Sequence, residues 1–239
     1  MELIWQGIKS AFILIFSGNK EILGIILLTL KVSGIAVIIS MAFGIPIGLL
    51  IGLNNFKSKR FVITIINTGM GLPPVAAGLF VSLMLWRSGP LGIIGIMYTP
   101  TAMIIAQVLI ASPIIAGVTL AAVQQVNPKL KLQALSLGAN RVQVLWILLK
   151  EAKLPALAAI MAGFGGVISE VGASTMVGGN IKGQTRVLTT ATVQNVGMGN
   201  FDVAIALVII LLILAFIVNL FLTLIQQGEN KTWYQSFWR

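Results

Sequence analysis

Charged residues in this chain fall into a few short clusters, and the runs between them stay apolar for about 20 residues or more, the length of helix that crosses a hydrocarbon core. The first run lies within residues 22–53, interrupted only by Lys31. The second, 61–86, has no charge in 26 residues and carries Pro73 and Pro74, which remove helical hydrogen bonds and are expected to kink or break the helix there. Residues 91–126 are charge-free for 36 residues, too long for one straight span. Because Thr99-Pro100 reads as a helix start, the third span is placed at 101–123. The fourth, 155–177, contains Glu170, and the fifth is 203–227. The pattern predicts an all-α integral membrane protein with five transmembrane helices.

Residues 1–20 read differently. Their apolar core, Ala11 to Phe16, is too short to span, and Trp5 with Lys9 suits an interface, so an N-terminal amphipathic interfacial helix is expected rather than a sixth span. No segment repeats at a fixed period, which gives little support to an inverted-repeat secondary transporter. Met84, Met97 and Met103 read as lipid-facing filler, and Trp5, Trp86, Trp233 and Trp238 as an interfacial belt. The tail, 228–239, is amphipathic and suits either the inner membrane surface or a cytoplasmic partner.

Composition agrees and narrows the chemistry. Of 239 residues, 57% are hydrophobic and 9% charged, against about 25% charged in soluble domains, and the mean hydropathy is +1.00. There is no Cys and no His, and the acids are Asp202, Glu2, Glu21, Glu151, Glu170 and Glu229. Thiol catalysis, His-ligated metals and His-dependent triads are excluded, and no resident metal is expected.

The net charge of +10 would raise the question of nucleic acid in a soluble protein; here it reports topology, and no nucleic-acid partner is expected. Lys57, Lys59, Arg60, Lys129, Lys131, Arg141, Lys150, Lys153, Lys231 and Arg239 fall on one side of the five spans, and Lys9, Lys20, Arg87, Lys182 and Arg186 on the other. The excess places the C-terminus and the loop 127–154 in the cytoplasm.

That loop has internal order. Asn127 can cap a helix whose first position is Pro128, Gly138 can end it in the left-handed conformation, and Asn140 with Gln143 reads as a capping box opening a second helix. Spacing alone leaves two readings open, a basic loop that only satisfies the positive-inside rule and a rigid helical knob on which a cytoplasmic motor can push.

The loop resembles the EAA loop of ABC importer permeases, Glu-Ala-Ala, three residues, Gly, nine residues, Ile-x-Leu-Pro. Gly138 matches the glycine and Ala134 the second alanine, while Leu132 and Gln133 replace the usual Glu and first Ala, and Leu154-Pro155 arrives one helical turn late. The stretches Thr29-Leu30-Lys31-Val32-Ser33, Phe43-Gly44-Ile45-Pro46-Ile47-Gly48 and Gly71-Leu72-Pro73-Pro74-Val75-Ala76-Ala77-Gly78-Leu79 are similar to permeases of molybdate and tungstate importers. Ser169-Glu170-Val171-Gly172-Ala173 resembles the core shared by oxyanion permeases. The segment from Val177 through Asn180, Lys182 and Arg186 to Ala191 looks specifically like the tungstate type.

The resemblance implies a type I ABC importer permease fold for residues 21–227 and a homodimeric pore. It further implies two cytoplasmic ATPase subunits docked on Ala134, Leu137, Gly138, Ala139 and Arg141, and an extracytoplasmic oxyanion-binding protein. The chain has no Gly-x-x-x-x-Gly-Lys-Ser/Thr loop, so it is expected to be no enzyme by itself, with ATP and Mg on the partner subunits. The expected location is the cell (inner) membrane.

Candidate pathway or gate residues are Pro73, Pro74, Ser169, Glu170, Gly172, Ser174 and Thr175. Hydroxyls and backbone N–H groups there can pass a tetrahedral oxyanion through weak sites, or the small residues only permit close packing. Glu170 would repel a dianion, and is expected instead to hydrogen-bond backbone or to pair with Lys182 or Arg186. The outer loop bearing Asn180, Lys182 and Arg186 meets the binding protein and steers the anion, or merely connects, and residues 189–195 suit a short helix dipping into the pore mouth. Lys31 attracts the anion or snorkels to an interface. A stand-alone carrier or channel is the competing class, and molybdate, then sulfate, the competing ligands.

Overall fold

The computed structural model describes residues 2–16, 19–151 and 153–237; the interface and charge assignments to Trp238 and Arg239 lie outside them. The described residues form α1 (Glu2–Phe16), α2 (Lys20–Leu53), α3 (Lys59–Met70), α4 (Pro74–Leu85), α5 (Pro100–Gln125), α6 (Pro128–Ser136), α7 (Arg141–Glu151), α8 (Lys153–Ile168), α9 (Gly172–Gly178), α10 (Leu188–Gly197) and α11 (Phe201–Phe237). Three helices are long and apolar enough to cross a membrane unaided, α2, α5 and α11 through Gln227. The pairs α3–α4 and α8–α9 pass the same test of length and composition only when each is taken together, and they are bent by 99° and 59° at their breaks. Counting each bent pair as one span gives five, the number of charge-free runs.

The centre of the molecule is the pairing of α2 with α5. Ser40, Gly44, Gly48 and Gly52 recur every fourth residue on α2, so they share one face. A Cβ on Gly48 would lie 2.6 Å from the Ala116 carbonyl oxygen, and one on Gly44 3.0 Å from that of Ser112. These glycines let two backbones touch, the main source of helix association where lipid removes the hydrophobic drive. Ser40 Oγ donates to the Val108 carbonyl at 3.4 Å and accepts from Ser112 Oγ at 3.3 Å. Around this pair the core adds Val81 and Leu85 from α4, Phe164 and Val167 from α8, and Val177 from α9.

The outer shell follows from burial. Leu212, Phe216, Leu220 and Phe221 of α11 are exposed, as suits a helix facing acyl chains. Its backbone stays helical through 228–237, beyond the expected end of the span, because nothing after Gly228 breaks it. The N-terminal helix α1 is not free on one side: Gly7 leaves no room for a Cβ against Ile205 of α11, and Ala11 is buried, while Trp5, Phe12 and Ile13 are exposed.

The α6–α7 knob hangs from the end of α5 opposite Pro100. Asn127 Oδ1 accepts the Lys129 N–H at 3.0 Å, Gly138 has φ +81°, and Asn140 and Gln143 exchange two bonds of 2.8 and 2.9 Å. Each is a local rule of helix ends. Ala134, Val144 and Leu148 form a small core with Leu53 of α2, so the knob is tied to the spans rather than dangling.

Candidate functional site

The two helix breaks meet. In the second span, Gly71 closes α3, and Pro74 opens α4 at the first-turn position where its missing N–H costs nothing. The Pro73 carbonyl accepts from Ala76 N–H at 2.8 Å and Ala77 N–H at 3.2 Å. In the fourth span the chain breaks over residues 169–171 without a proline. Ser169 Oγ donates to the Gly165 carbonyl at 2.8 Å, and Glu170 Oε1 accepts the Ala173 N–H at 2.8 Å, capping the new helix α9. A Cβ on Gly78 would lie 2.6 Å from Ala173 Cα, and one on Gly172 2.7 Å from Val75 Cγ2. The N-terminal half of α4 is therefore in close contact with the first turn of α9, with Gly78 against Ala173 and Val75, the residue after Pro74, against Gly172.

Within this centre the small polar groups divide. Ser169 and Thr175 are exposed, and each hydroxyl returns to a carbonyl of its own helix, Gly165 and Val171 respectively. Ser174 turns the other way and is 1% exposed, so its hydroxyl belongs to the protein interior rather than to an open path. It accepts from Gln107 Nε2 of α5 at 3.4 Å.

Gln107 escaped the reading of the sequence. Its amide also donates to the Val167 carbonyl at 3.3 Å, near the end of α8 where the break removes helical partners, and its Oε1 is buried without one. A lone amide in the middle of a charge-free span was the available signal. Gln107→Leu is expected to lower stability by about 1 kcal/mol, the scale of an intramembrane hydrogen bond. Thermal unfolding of the purified chain in detergent checks this, and an unchanged midpoint would remove the amide's role.

Glu170 takes the backbone option of the two open to it, and the bases expected as alternatives lie elsewhere. Lys182 Nζ is 2.8 Å and Arg186 Nη1 3.9 Å from the Glu21 carboxylate at the start of α2. The loop between α9 and α10 is an ordered strap. Asn180 adopts φ +51° and donates through Nδ2 to Gln194 Oε1 at 3.0 Å. Thr185, fully buried, donates to the Gly178 carbonyl at 2.5 Å and accepts from Ile181 N–H at 3.0 Å. Thr189 Oγ1 donates to the Glu170 carbonyl at 2.9 Å, and Leu188 N–H donates to Thr29 Oγ1 at 3.0 Å. The strap thus joins the break in the fourth span, the short helix α10 and the first span.

A second candidate surface lies on the knob. Ala134 is buried in its small core, whereas Leu137, Gly138, Val142 and Trp146 are exposed and Ala139 half-buried. Leu137, Gly138, Ala139, Val142, Gln143 and Trp146 line a shallow, open, mostly apolar surface groove. The backbone of Arg141 opens α7; its side chain is outside the described part.

Residues 44–231 match the family described as binding-protein-dependent transport system inner membrane component. The chain is 39% identical over 219 residues, 92% of this chain and 96% of the relative, to the tungstate uptake system permease protein TupB of Peptoclostridium acidaminophilum. It is 42% identical over 196 residues, 80% of this chain and 84% of the relative, to a probable anion ABC transporter permease protein of Haloferax volcanii. A solved bacterial ABC transporter involved in import of the acidic polysaccharide alginate shares its fold with a TM-score of 0.74 at 21% identity, covering 92% of this chain and 83% of that one. The architecture is that of a type I ABC importer permease, and the chain belongs to the family of binding-protein-dependent transport system inner membrane components.

Proposed function

We propose that this chain is the membrane subunit of an ABC importer that moves tungstate inward, working as a homodimer with two cytoplasmic ATPases and an extracytoplasmic binding protein. The observation that carries the coupling is the knob. It sits at the end of the molecule richest in Lys and Arg, so it faces cytoplasmic water together with the C-terminus. Yet it exposes Leu132, Leu135, Leu137, Val142 and Trp146, and an apolar face of that kind in water marks a partner surface. A rigid ATPase movement transmitted through Leu53 and the knob core reaches α2 directly, and through α2 and α5 the paired breaks.

The contacting N-terminal parts of α4 and α9 form the gate. They meet through glycine and carry no Lys or Arg, so nothing there traps a passing anion, as transport requires. ATP and Mg bind the partner subunits. The tungstate assignment follows the similarity to the TupB permease and the segment 177–191, with molybdate and sulfate as competing cargoes.

The test is ATPase activity of the subunit reconstituted with its ATPase, with binding protein loaded with tungstate, molybdate or sulfate. Stimulation by the tungstate-loaded form is expected. Equal stimulation by molybdate overturns the cargo, and failure of any ATPase to associate, with uptake intact, overturns the importer in favour of a stand-alone carrier.

A further inference from the structure

At the end of α2 opposite the knob, four cations, Lys20, Lys31, Lys182 and Arg186, and one acid, Glu21, line a cavity of about 570 Å³. Glu21 is already used, pairing Lys182 at 2.8 Å and Arg186 at 3.9 Å. Lys20 and Lys31 have no ion-pair or hydrogen-bond partner among the described residues, and the Arg186 Nε is buried without one. The pocket therefore carries an uncompensated positive charge. An unpaired cation within a span is costly, and it marks a site that awaits a negative partner.

The shape of the pocket says which partner. Lys20, Gly24, Leu27 and Lys31 are all exposed and recur along one stripe of α2, so the two lysines stand on the same face roughly 16 Å apart along the axis. Between them Gly24 has nothing within 4 Å of where a Cβ would stand, and Leu27 continues the wall, leaving an apolar indentation flanked by ammonium groups. The deeper Lys31 can direct its long stem along that wall toward the rim. A tetrahedral oxyanion satisfies the charges, and it has two sources, a lipid phosphate or a free anion. A free dianion has no use for the apolar stripe, whereas an amphiphile matches both halves of the pocket.

We propose that this pocket binds the phosphate of an anionic phospholipid, with an acyl chain lying along Gly24 and Leu27. The phosphate stands at the rim beside Lys20, where the extended stem of Lys31 turns toward it, and the bound lipid braces the strap against the first span.

Native mass spectrometry of the full chain in detergent, titrated with phosphatidylglycerol or phosphatidylcholine, tests this without requiring transport, so it fails or succeeds separately from the proposed function. Phosphatidylglycerol is expected to bind about tenfold more tightly, and Lys31→Gln to weaken it about fivefold, the effect of one surface cation on an anionic lipid. Lys31→Arg keeps the charge and the binding, and Lys57→Gln, at the opposite end of the molecule, leaves both lipids unchanged. Equal affinity for the two lipids, or no effect of Lys31→Gln, overturns the proposal. Displacement of phosphatidylglycerol by inorganic phosphate or tungstate in the millimolar range assigns the pocket to a free oxyanion and overturns it as well.

Discussion

Replacing Gly138 by valine is expected to weaken binding of the partner ATPase by roughly five- to thirty-fold, the equivalent of about 1–2 kcal/mol of left-handed backbone strain. Gly138 has φ +81°, and nothing lies within 4 Å of where its Cβ would be. The penalty is therefore conformational and not steric crowding by a neighbour. A β-branched residue escapes the strain by relaxing the turn, which moves Leu137, exposed at 88%, and swings α6 relative to α7. Gly138→Asn supplies the control, because Asn tolerates the left-handed region. Co-purification of the ATPase should fall for valine and persist for asparagine, while the thermal midpoint of the spans stays in place. Equal co-purification of valine and wild type would sever the turn from coupling.

Much of this knob was legible because its rules are local. Asn127, Pro128, Gly138, Asn140 and Gln143 act within three residues of themselves, and all but the proline use bonds or a torsion now visible. Thr99 before Pro100 is the same kind of signal: Thr99 Oγ1 accepts the Ala102 N–H at 3.4 Å where α5 begins. The apolar segments were legible from charge spacing, and α2, α5 and α11 lie on three of them. The size of the bends was not. Pro73-Pro74 announces a break in the second span but not an angle of 99°, which depends on what α3 and α4 rest against.

The break at 169–171 was harder still, since no proline marks it. It is made from Ser169 bonding backward, Glu170 capping forward, and Thr189 reaching from 19 residues away. Long-range partners carry no spacing signature. The same holds for Gln107 with Val167 and for Glu21 with Lys182. Each choice of partner is set by how helices stack, so the sequence showed unpaired groups without saying which would meet.

Gly78→Leu is expected to have the second large effect, a loss of stability of about 1–3 kcal/mol for overpacking together with a much larger loss of transport. The Cβ site at Gly78 is 2.6 Å from Ala173 Cα, 3.2 Å from Ala173 Cβ and 3.3 Å from Met176 Sδ. Methionine can move aside; a backbone carbon at the first turn of α9 cannot without shifting the whole half-helix. That shift strains the Glu170 carboxylate bond to Ala173 N–H and drags on the strap held by Thr189 at the same break. Because the contact joins the two half-helices assigned to the gate, displacement acts on the moving parts while the knob, at the far end of α5, keeps its docking geometry. Gly78→Leu should therefore still bind its ATPase but lose stimulation by loaded binding protein. Gly34→Ala is the matched control, since nothing lies within 4 Å of its Cβ site and alanine in a helix is favoured over glycine by about 0.5–1 kcal/mol. Wild-type uptake by Gly78→Leu would show that the approach of α4 to α9 is packing alone, and the gate would have to be sought elsewhere along α3 and α8.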